Sequence, residues 1–160
     1  MFEALKKVKT PPRNPRNNAG NWTQIESALQ LELPSEFKEI IGIYGDVLWG
    51  DILWLLNPFS KELPEYQADI SQICGADREI RKEKPEYYPF PIYPEQNGIY
   101  PWAATENGDT LYWITAFESN KWPTVIRGPR APEFEVSYLR PSTFLHHLEI
   151  GKLQSGILNT

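Results

Sequence analysis

The fourteen-residue stretch YPWAATENGDTLYW, from Tyr100 to Trp113, constrains the fold more than any other part of this chain. Its middle holds Asn107-Gly108, a pair that tolerates positive φ, between runs rich in aromatic and β-branched residues, which predicts a tight β-hairpin. Alternation along the second arm places large apolar side chains on both faces of the strand. We therefore expect this hairpin to be central in a sheet that helices cover on at least one side, with Trp102 and Trp113 in the core.

Apolar periodicity predicts the remaining elements. Helical spacing indicates helices at about 22–30, 35–44, 63–84 and 141–148. Asn21 and Ser142 are candidate N-caps, and Gly45 is a candidate stop signal. Apolar runs predict further strands at about 52–56, 122–127 and 133–138, and for the first of them a buried helical turn stays open as an alternative. The predicted fold class is α+β, with a mainly antiparallel sheet of about five to six strands and helices packed on it.

Residues 85–98, PEYYPFPIYPEQNG, hold four prolines among aromatic and branched side chains. Proline lacks the N–H group of a regular ladder and favours extended backbone, so no regular strand is expected here. Two interpretations stay open for this segment. It is either a packed irregular connector or a contact surface with aromatic anchors.

The charge of the chain is uneven. Residues 1–20 hold five basic side chains against one acidic side chain, Glu3, so their balance is +4. Since the whole chain has a net charge of −5, residues 21–160 have −9. We predict a flexible basic arm at 1–20 and a single domain at 21–160. The acidic domain is expected to repel nucleic acid and to attract a basic protein partner.

Cysteine usage and hydropathy bear on the cellular compartment. Cys74 is the single cysteine, so no internal disulfide is expected, and its apolar-periodic setting predicts a buried, inert thiol. No stretch reaches the roughly 20 apolar residues that cross a bilayer, and the N-terminal residues lack the apolar core of a secretory signal. These features predict a cytoplasmic protein without a membrane partner.

Residue types that perform catalysis are sparse in this chain. The two histidines, His146 and His147, are adjacent on a predicted helix and do not share a face as metal ligands would. The motifs of zinc proteases, nucleophile elbows and phosphate-binding loops are absent from the sequence. Glu106 and Asp109 flank the predicted turn, where Asp109 is expected to accept N–H groups. We therefore expect no enzymatic activity, no cofactor and no metal.

Short motifs in a fixed order cover residues 22–151. They are W-x-x-I-E-x-x-L from Trp22, L-P-x-x-F-K from Leu33, Y-G at Tyr44, Y-P-W from Tyr100, N-G-D from Asn107, L-Y-W from Leu111, W-P at Trp122 and F-L at Phe144. In this order the motifs resemble the SUKH superfamily, a group of bacterial immunity proteins related to the fungal Smi/Knr cell-wall regulators. The matched positions are mostly structural, so the resemblance carries over a fold rather than a set of contacts.

The resemblance implies helices on a mainly antiparallel sheet, no catalytic activity and a binding function. Many members protect a bacterium by capping a toxin domain, often a nuclease, that a competing cell delivers. The leading hypothesis is a cytoplasmic immunity protein that neutralises a cognate toxin, such as a basic nuclease, without catalysis. Two alternatives stay open: an intracellular adaptor or regulator of the Smi/Knr type acting on a host partner, and a ligand-binding module, for example for sugar, built on Tyr87, Tyr88 and Tyr93.

Contacts with a partner are predicted at exposed acids and aromatics near the hairpin tip and the proline-rich segment. The candidate partner-binding residues are Glu86, Tyr87, Tyr88, Glu106, Glu118 and Glu135. Aromatic side chains anchor many interfaces, and acids suit a basic partner. Charge reversal at Glu106 and Glu118 is expected to slow association and to leave the stability nearly unchanged.

Overall fold

The computed structural model describes residues 2–129 and 133–158. The elements are α1 (Phe2–Val8), α2 (Trp22–Leu29), α3 (Ser35–Tyr44), β1 (Leu48–Trp49), β2 (Leu53–Leu55), α4 (Leu63–Glu83), β3 (Ile99–Thr105), β4 (Thr110–Ile114), β5 (Thr124–Arg127), β6 (Phe134–Ser137) and α5 (Pro141–Glu149). Short 3₁₀ helices lie at Pro85–Tyr87 and Ser119–Lys121. Within the described ranges, no helix has the length and apolar character needed to cross a membrane.

In the described residues, six strands form one antiparallel sheet in the order β1-β2-β3-β4-β5-β6. Strand order equals chain order, so the sheet is a meander, and the predicted α+β fold is confirmed. The strand predicted at 52–56 is the shorter β2, and β1 pairs with it as a two-residue edge. The long connection from β2 to β3 contains α4 and the proline-rich segment.

Helices cover both faces of the sheet. The Tyr112 hydroxyl on β4 donates to Asp77 Oδ2 on α4 over 2.6 Å, so α4 lies on one face. Because side chains alternate along a strand, Trp113 points to the opposite face, where its ring meets the edge of Phe37 on α3 at 5.0 Å between centroids. α5 packs beside α3 on this second face. The hairpin is thus central in the sheet, as its two apolar faces predict.

The core is centred on two stacked indoles. Trp102 and Trp113 are both buried, with ring centroids 5.3 Å apart and ring planes 3° from parallel. Phe144 of α5 meets Trp102 edge-on at 5.8 Å. Burial of each indole contributes on the order of 4–6 kcal/mol before entropy is subtracted. The prediction that these tryptophans anchor the core is confirmed.

The β3–β4 turn has a three-residue loop. Gly108 N donates to Thr105 O over 3.2 Å, and Thr105 N donates to Asp109 O over 2.9 Å. Within this described turn, positive φ occurs at Gly108, with φ 94°, and not at Asn107, because a type I turn followed by a left-handed glycine closes a loop of this length. The prediction for Asp109 is wrong: its carboxylate accepts the Thr105 hydroxyl over 2.8 Å rather than turn N–H groups.

Residues 2–20 pack on the domain instead of forming a flexible arm. α1 lies against α5, and Leu5 is completely buried. Lys9 donates from Nζ to the main-chain oxygen of Leu48 over 2.7 Å, and its own carbonyl accepts the Tyr44 hydroxyl over 2.7 Å. The composition of the segment predicts disorder, but its position is decided by one buried leucine and by hydrogen bonds to residues more than thirty positions away.

One of the two predicted helix caps is confirmed. Asn21 Oδ1 accepts the Gln24 N–H over 3.1 Å at the start of α2. Ser142 lies inside α5 rather than at its cap, and both its N–H and its hydroxyl donate to Glu36 of α3, over 3.0 and 2.6 Å. Ser142 therefore joins two helices instead of ending one.

The proline-rich segment is an irregular connector, the first of its two interpretations. Tyr88 and Ile92 are buried, and Ile92 forms a bridge to Ile99 at the start of β3. Tyr93 donates its hydroxyl to the main-chain oxygen of Leu29 over 2.7 Å. Because two of the three tyrosines of the sugar-binding alternative are engaged in the fold, the described residues of this segment form no exposed tyrosine platform.

Candidate partner-binding surface

The predicted contact residues differ in their exposure. Glu86, Glu106 and Glu118 are exposed, and Tyr87 is 46% exposed, as a contact role requires. Tyr88 is only 3% exposed, so its prediction as an exposed contact is wrong. Its ring meets Phe134 of β6 edge-on at 5.0 Å, which explains the burial: the connector uses this tyrosine to cover the sheet.

Glu135 is half-buried and has an intramolecular partner. On β6 it lies opposite Ile126 of β5, and its Oε1 accepts the main-chain N–H of Gly156 over 2.7 Å. Since this carboxylate holds the segment after α5 against the sheet, a contact with another protein would compete with that hydrogen bond. Among the four predicted acids, Glu135 is therefore the one whose surroundings fit a contact role least.

Glu106 and Glu118 lie beyond opposite ends of β4. Glu106 is in the β3–β4 turn, and Glu118 follows the other end of the strand. The four steps from Thr110 to Ile114, at about 3.3 Å each, separate the two ends by roughly 13 Å or more. The predicted residues therefore do not form one patch, because the loop from 115 to 123 and the β3–β4 turn are separate surfaces.

The loop between β4 and β5 exposes an aromatic residue that the sequence predictions did not include. Phe117 is 91% exposed and has a φ of 65°, a left-handed conformation that is rare for a bulky side chain. Its carbonyl oxygen accepts the indole N–H of Trp122 over 3.2 Å, and Trp122 is itself buried. The phenyl ring thus projects to solvent from a backbone that a buried side chain holds in place.

A second contact fixes this loop to the helical layer. The side chain of Asn120, in the 3₁₀ helix, accepts the N–H of Ser35 over 2.8 Å at the start of α3. A loop tied at both Trp122 and Asn120 has few conformations to lose when Phe117 is buried by a partner. The sequence signal for this site was a phenylalanine in an otherwise polar stretch, FESNK, which periodicity does not identify as surface or core.

Tyr138 lies at the same end of the sheet. Ser137 of β6 pairs with Thr124 at the start of β5, and the N–H of Ile114 at the end of β4 donates to Pro123 O over 3.0 Å. Tyr138 comes directly after β6 and is 83% exposed. We call this end of the sheet, with Phe117, Glu118 and Tyr138, the aromatic end.

A buried polar cluster lies between α4 and the sheet, away from solvent. Asp77 is completely buried, its Oδ1 lies 3.2 Å from Arg127 Nε, and its Oδ2 accepts the Tyr112 hydroxyl. Arg127 Nε also donates to the Tyr112 hydroxyl oxygen over 3.0 Å. Burial, followed by the negative charge of Asp77, raises the pKa of Tyr112. Among the described residues, Asp77 Oδ1 accepts no hydrogen bond and has the guanidinium of Arg127 as its ion-pair partner. The cluster is enclosed, so it links α4 to the sheet and offers no access to a substrate.

Cys74 also faces the core, as predicted. It is 2% exposed, and burial, followed by the nearby charge of Asp77, raises the pKa of its thiol from 9.0 to about 12. The reactive species of a cysteine is the thiolate, so this thiol is inert near neutral pH. In the described part of the chain, no cluster of three or more candidate ligands is placed to hold a metal ion.

These features define the class of protein: an α+β domain in which helices cover both faces of an antiparallel meander, with exposed aromatic side chains at one end of the sheet. No family model and no solved structure matches the chain. Over 87 residues it is 26% identical to "Increased sodium tolerance protein 2" of Saccharomyces cerevisiae. The match covers 49% of this chain and 9% of the yeast protein, so this chain spans less than a tenth of that relative's length. A similarity of this extent assigns neither a family nor an activity.

Proposed function

We propose that this chain is a cytoplasmic immunity protein of the SUKH type, which binds a cognate protein toxin such as a basic nuclease and neutralises it without catalysis. Two kinds of observation support the proposal. The series of motifs from Trp22 to Phe144 resembles that superfamily, and the α+β fold is the one the resemblance implies. The observation that carries it is the exposed ring of Phe117 on its fixed loop.

Phe117 has the properties of an interface anchor. Large aromatic side chains provide much of the binding energy in protein complexes when a partner encloses them. In the free protein, by contrast, a ring exposed to this degree gains almost nothing from hydrophobic burial. The left-handed φ of Phe117 adds strain that the free fold does not need. An exposed, strained aromatic is therefore explained better by contact with a partner than by stability.

The charge of the domain suits a basic partner. Residues 21–160 carry −9, and Glu118 is exposed next to Phe117. An acidic surface accelerates encounter with a cationic protein, and added salt screens this attraction. The association rate constant should therefore fall as the salt concentration rises, while the dissociation rate constant, which depends on the enclosed anchor, should change less.

The first experiment measures binding to the toxin domain encoded next to the gene of this protein. Phe117→Asn removes the ring, and asparagine tolerates the left-handed conformation better than most residues. We expect the dissociation constant to rise by roughly tenfold or more, the loss of a typical anchor, with an unchanged melting temperature. Val8→Asn is the matched control, because Val8 is 42% exposed on α1, and it should bind like the wild type.

A charge pair tests which end of the sheet meets the toxin. Glu118→Lys should slow association at low salt, whereas Glu106→Lys, the same change at the opposite end of β4, should have a much smaller effect. Equal effects of both substitutions would mean that the aromatic end is not the surface that meets the toxin. Failure of the wild-type protein to bind or inhibit this toxin domain, or the lack of any toxin gene beside its own, would contradict the immunity function.

The adaptor alternative predicts a different outcome of the same experiments. A regulator of the Smi/Knr type would bind a host protein that has no toxicity, and cells would not need it to survive expression of a toxin. Rescue of growth on co-expression with the toxin therefore distinguishes the two functions. The Phe117→Asn variant should lose this rescue if the immunity function is correct, at a toxin dose just below the limit that the wild type tolerates.

A further inference from the structure

β6 ends the sheet and leaves one side of its backbone open. Gly128 N donates to Glu133 O over 3.2 Å, so these two opposed residues form a hydrogen-bonded pair between β5 and β6. Hydrogen-bonded and non-hydrogen-bonded pairs alternate along an antiparallel ladder. Phe134 and Val136, one and three positions after Glu133, therefore belong to non-hydrogen-bonded pairs. Their N–H and C=O groups point away from β5. Within the described parts of the chain, no main-chain group bonds to them.

The other edge of the sheet, β1, is protected against pairing with another strand. β1 has two residues, and the ammonium group of Lys9 donates to the main-chain oxygen of Leu48. Proteins protect sheet edges by such short strands, by lysine or proline, and by covering elements. β6 has four residues, FEVS, with neither lysine nor proline, and Val136 is 43% exposed. Its one charged side chain, Glu135, is half-buried and accepts the N–H of Gly156 on the face opposite Val136. An edge with so little protection is a template for pairing with another strand.

The order of residues along this edge is complementary to itself. If two copies of β6 pair antiparallel about a two-fold axis at Val136, the valine faces its own copy and Phe134 faces Tyr138. The three opposed pairs on this face are then aromatic with aromatic or β-branched with β-branched, the favourable cross-strand combinations. On the other face Glu135 lies opposite Ser137, so no like charges meet. Self-complementarity of this type is what a closed two-fold interface requires.

We propose that two copies of this protein associate through their β6 edges, so that two six-stranded sheets become one continuous sheet. Three opposed residue pairs with two hydrogen bonds each supply about six main-chain hydrogen bonds. The contact is short, so the dimer is weak and depends on concentration. This pairing does not depend on the immunity function, and Phe117, in the β4–β5 loop, is not part of it.

Sedimentation and light scattering over about 5–500 µM test the proposal, because a small interface associates in that range. The wild-type mass should rise from 18.5 kDa toward twice that value. V136K and V136E should each stay monomeric, since each places like charges opposite one another at the axis, with an unchanged circular dichroism spectrum. An equimolar mixture of the two variants should restore the dimer, and V8K, at a residue of nearly equal exposure, should dimerise normally.

Three outcomes would overturn the pairing. They are a wild-type protein that stays monomeric up to the highest concentration, a dimer that V136K leaves intact, and a mixture of the charge variants that does not associate. A monomeric wild type whose toxin binding is lost in V136K would assign the edge to a strand of the toxin instead. Unchanged toxin binding by V8K separates this result from failure of the immunity function, because Val8 lies on α1, outside both β6 and the aromatic end.

Discussion

Removal of Arg127 should strongly destabilise the protein, because it leaves a carboxylate without a charged partner in the core. Asp77 is completely buried, and its Oδ1 has the guanidinium of Arg127 at 3.2 Å as its ion-pair partner. Loss of one member of a buried ion pair costs about 3–5 kcal/mol, mostly as the desolvation of the charge that remains. For a chain of 160 residues, each kcal/mol shifts the melting temperature by about 2–4 °C. Arg127→Met should therefore lower the melting temperature by roughly 6–20 °C.

If the unpaired charge of Asp77 causes the loss of stability, a second substitution that removes this charge should restore part of it. In Arg127→Met/Asp77→Asn the buried charge is gone, and the amide oxygen of asparagine still accepts the Tyr112 hydroxyl. The double variant should be more stable than Arg127→Met alone. Urea unfolding followed by tryptophan fluorescence gives the free energies. Arg140→Met is the matched control, because Arg140 is largely exposed and its ion pair with Glu36 spans 3.8 Å, so a change of at most about 1 kcal/mol is expected.

Two results would refute this reasoning. One is a cost below about 1 kcal/mol for Arg127→Met, which would mean that water reaches Asp77 in the folded protein. The other is a double variant less stable than the single one, which would show that the loss came from packing of the arginine side chain rather than from the unpaired charge. Either result would mean that the Asp77–Arg127 ion pair does not hold α4 on the sheet.

Three further predictions concern the core, the thiol and the N-terminal segment. Trp113→Ala removes a stacked indole and should cost about 3–5 kcal/mol in urea unfolding, and a cost near zero would remove the stack from the core. Cys74, with its pKa raised from 9.0 to about 12, should react with a thiol reagent at pH 8 about a thousandfold more slowly in the native protein than in the unfolded one. Leu5→Ala should cost about 2–5 kcal/mol, whereas Val8→Ala, on the same helix but exposed, should cost within about 0.5; equal and small effects would mean that the segment is not docked.

Local signals explain why so much of the secondary structure was predictable. The helix predicted at 22–30 is α2, with Asn21 as its cap, and the helix predicted at 63–84 is α4. Both predictions depend on side chains within a few positions of one another. The site was much less predictable. Tyr88 and Glu135 were placed on the surface by residue type, although the first is enclosed by Phe134 and the second is bonded to Gly156.

By itself, the sequence determined the central hairpin, the helical stripes and hence the α+β class, because periodicity and turn chemistry act between near neighbours. Only the tertiary structure decided that residues 2–20 pack on the domain, that Asp77 finds Arg127 fifty positions away, and that Phe117 is left in solvent. These outcomes depend on which distant surfaces meet, and the free energy of burial depends on that meeting rather than on the residue alone.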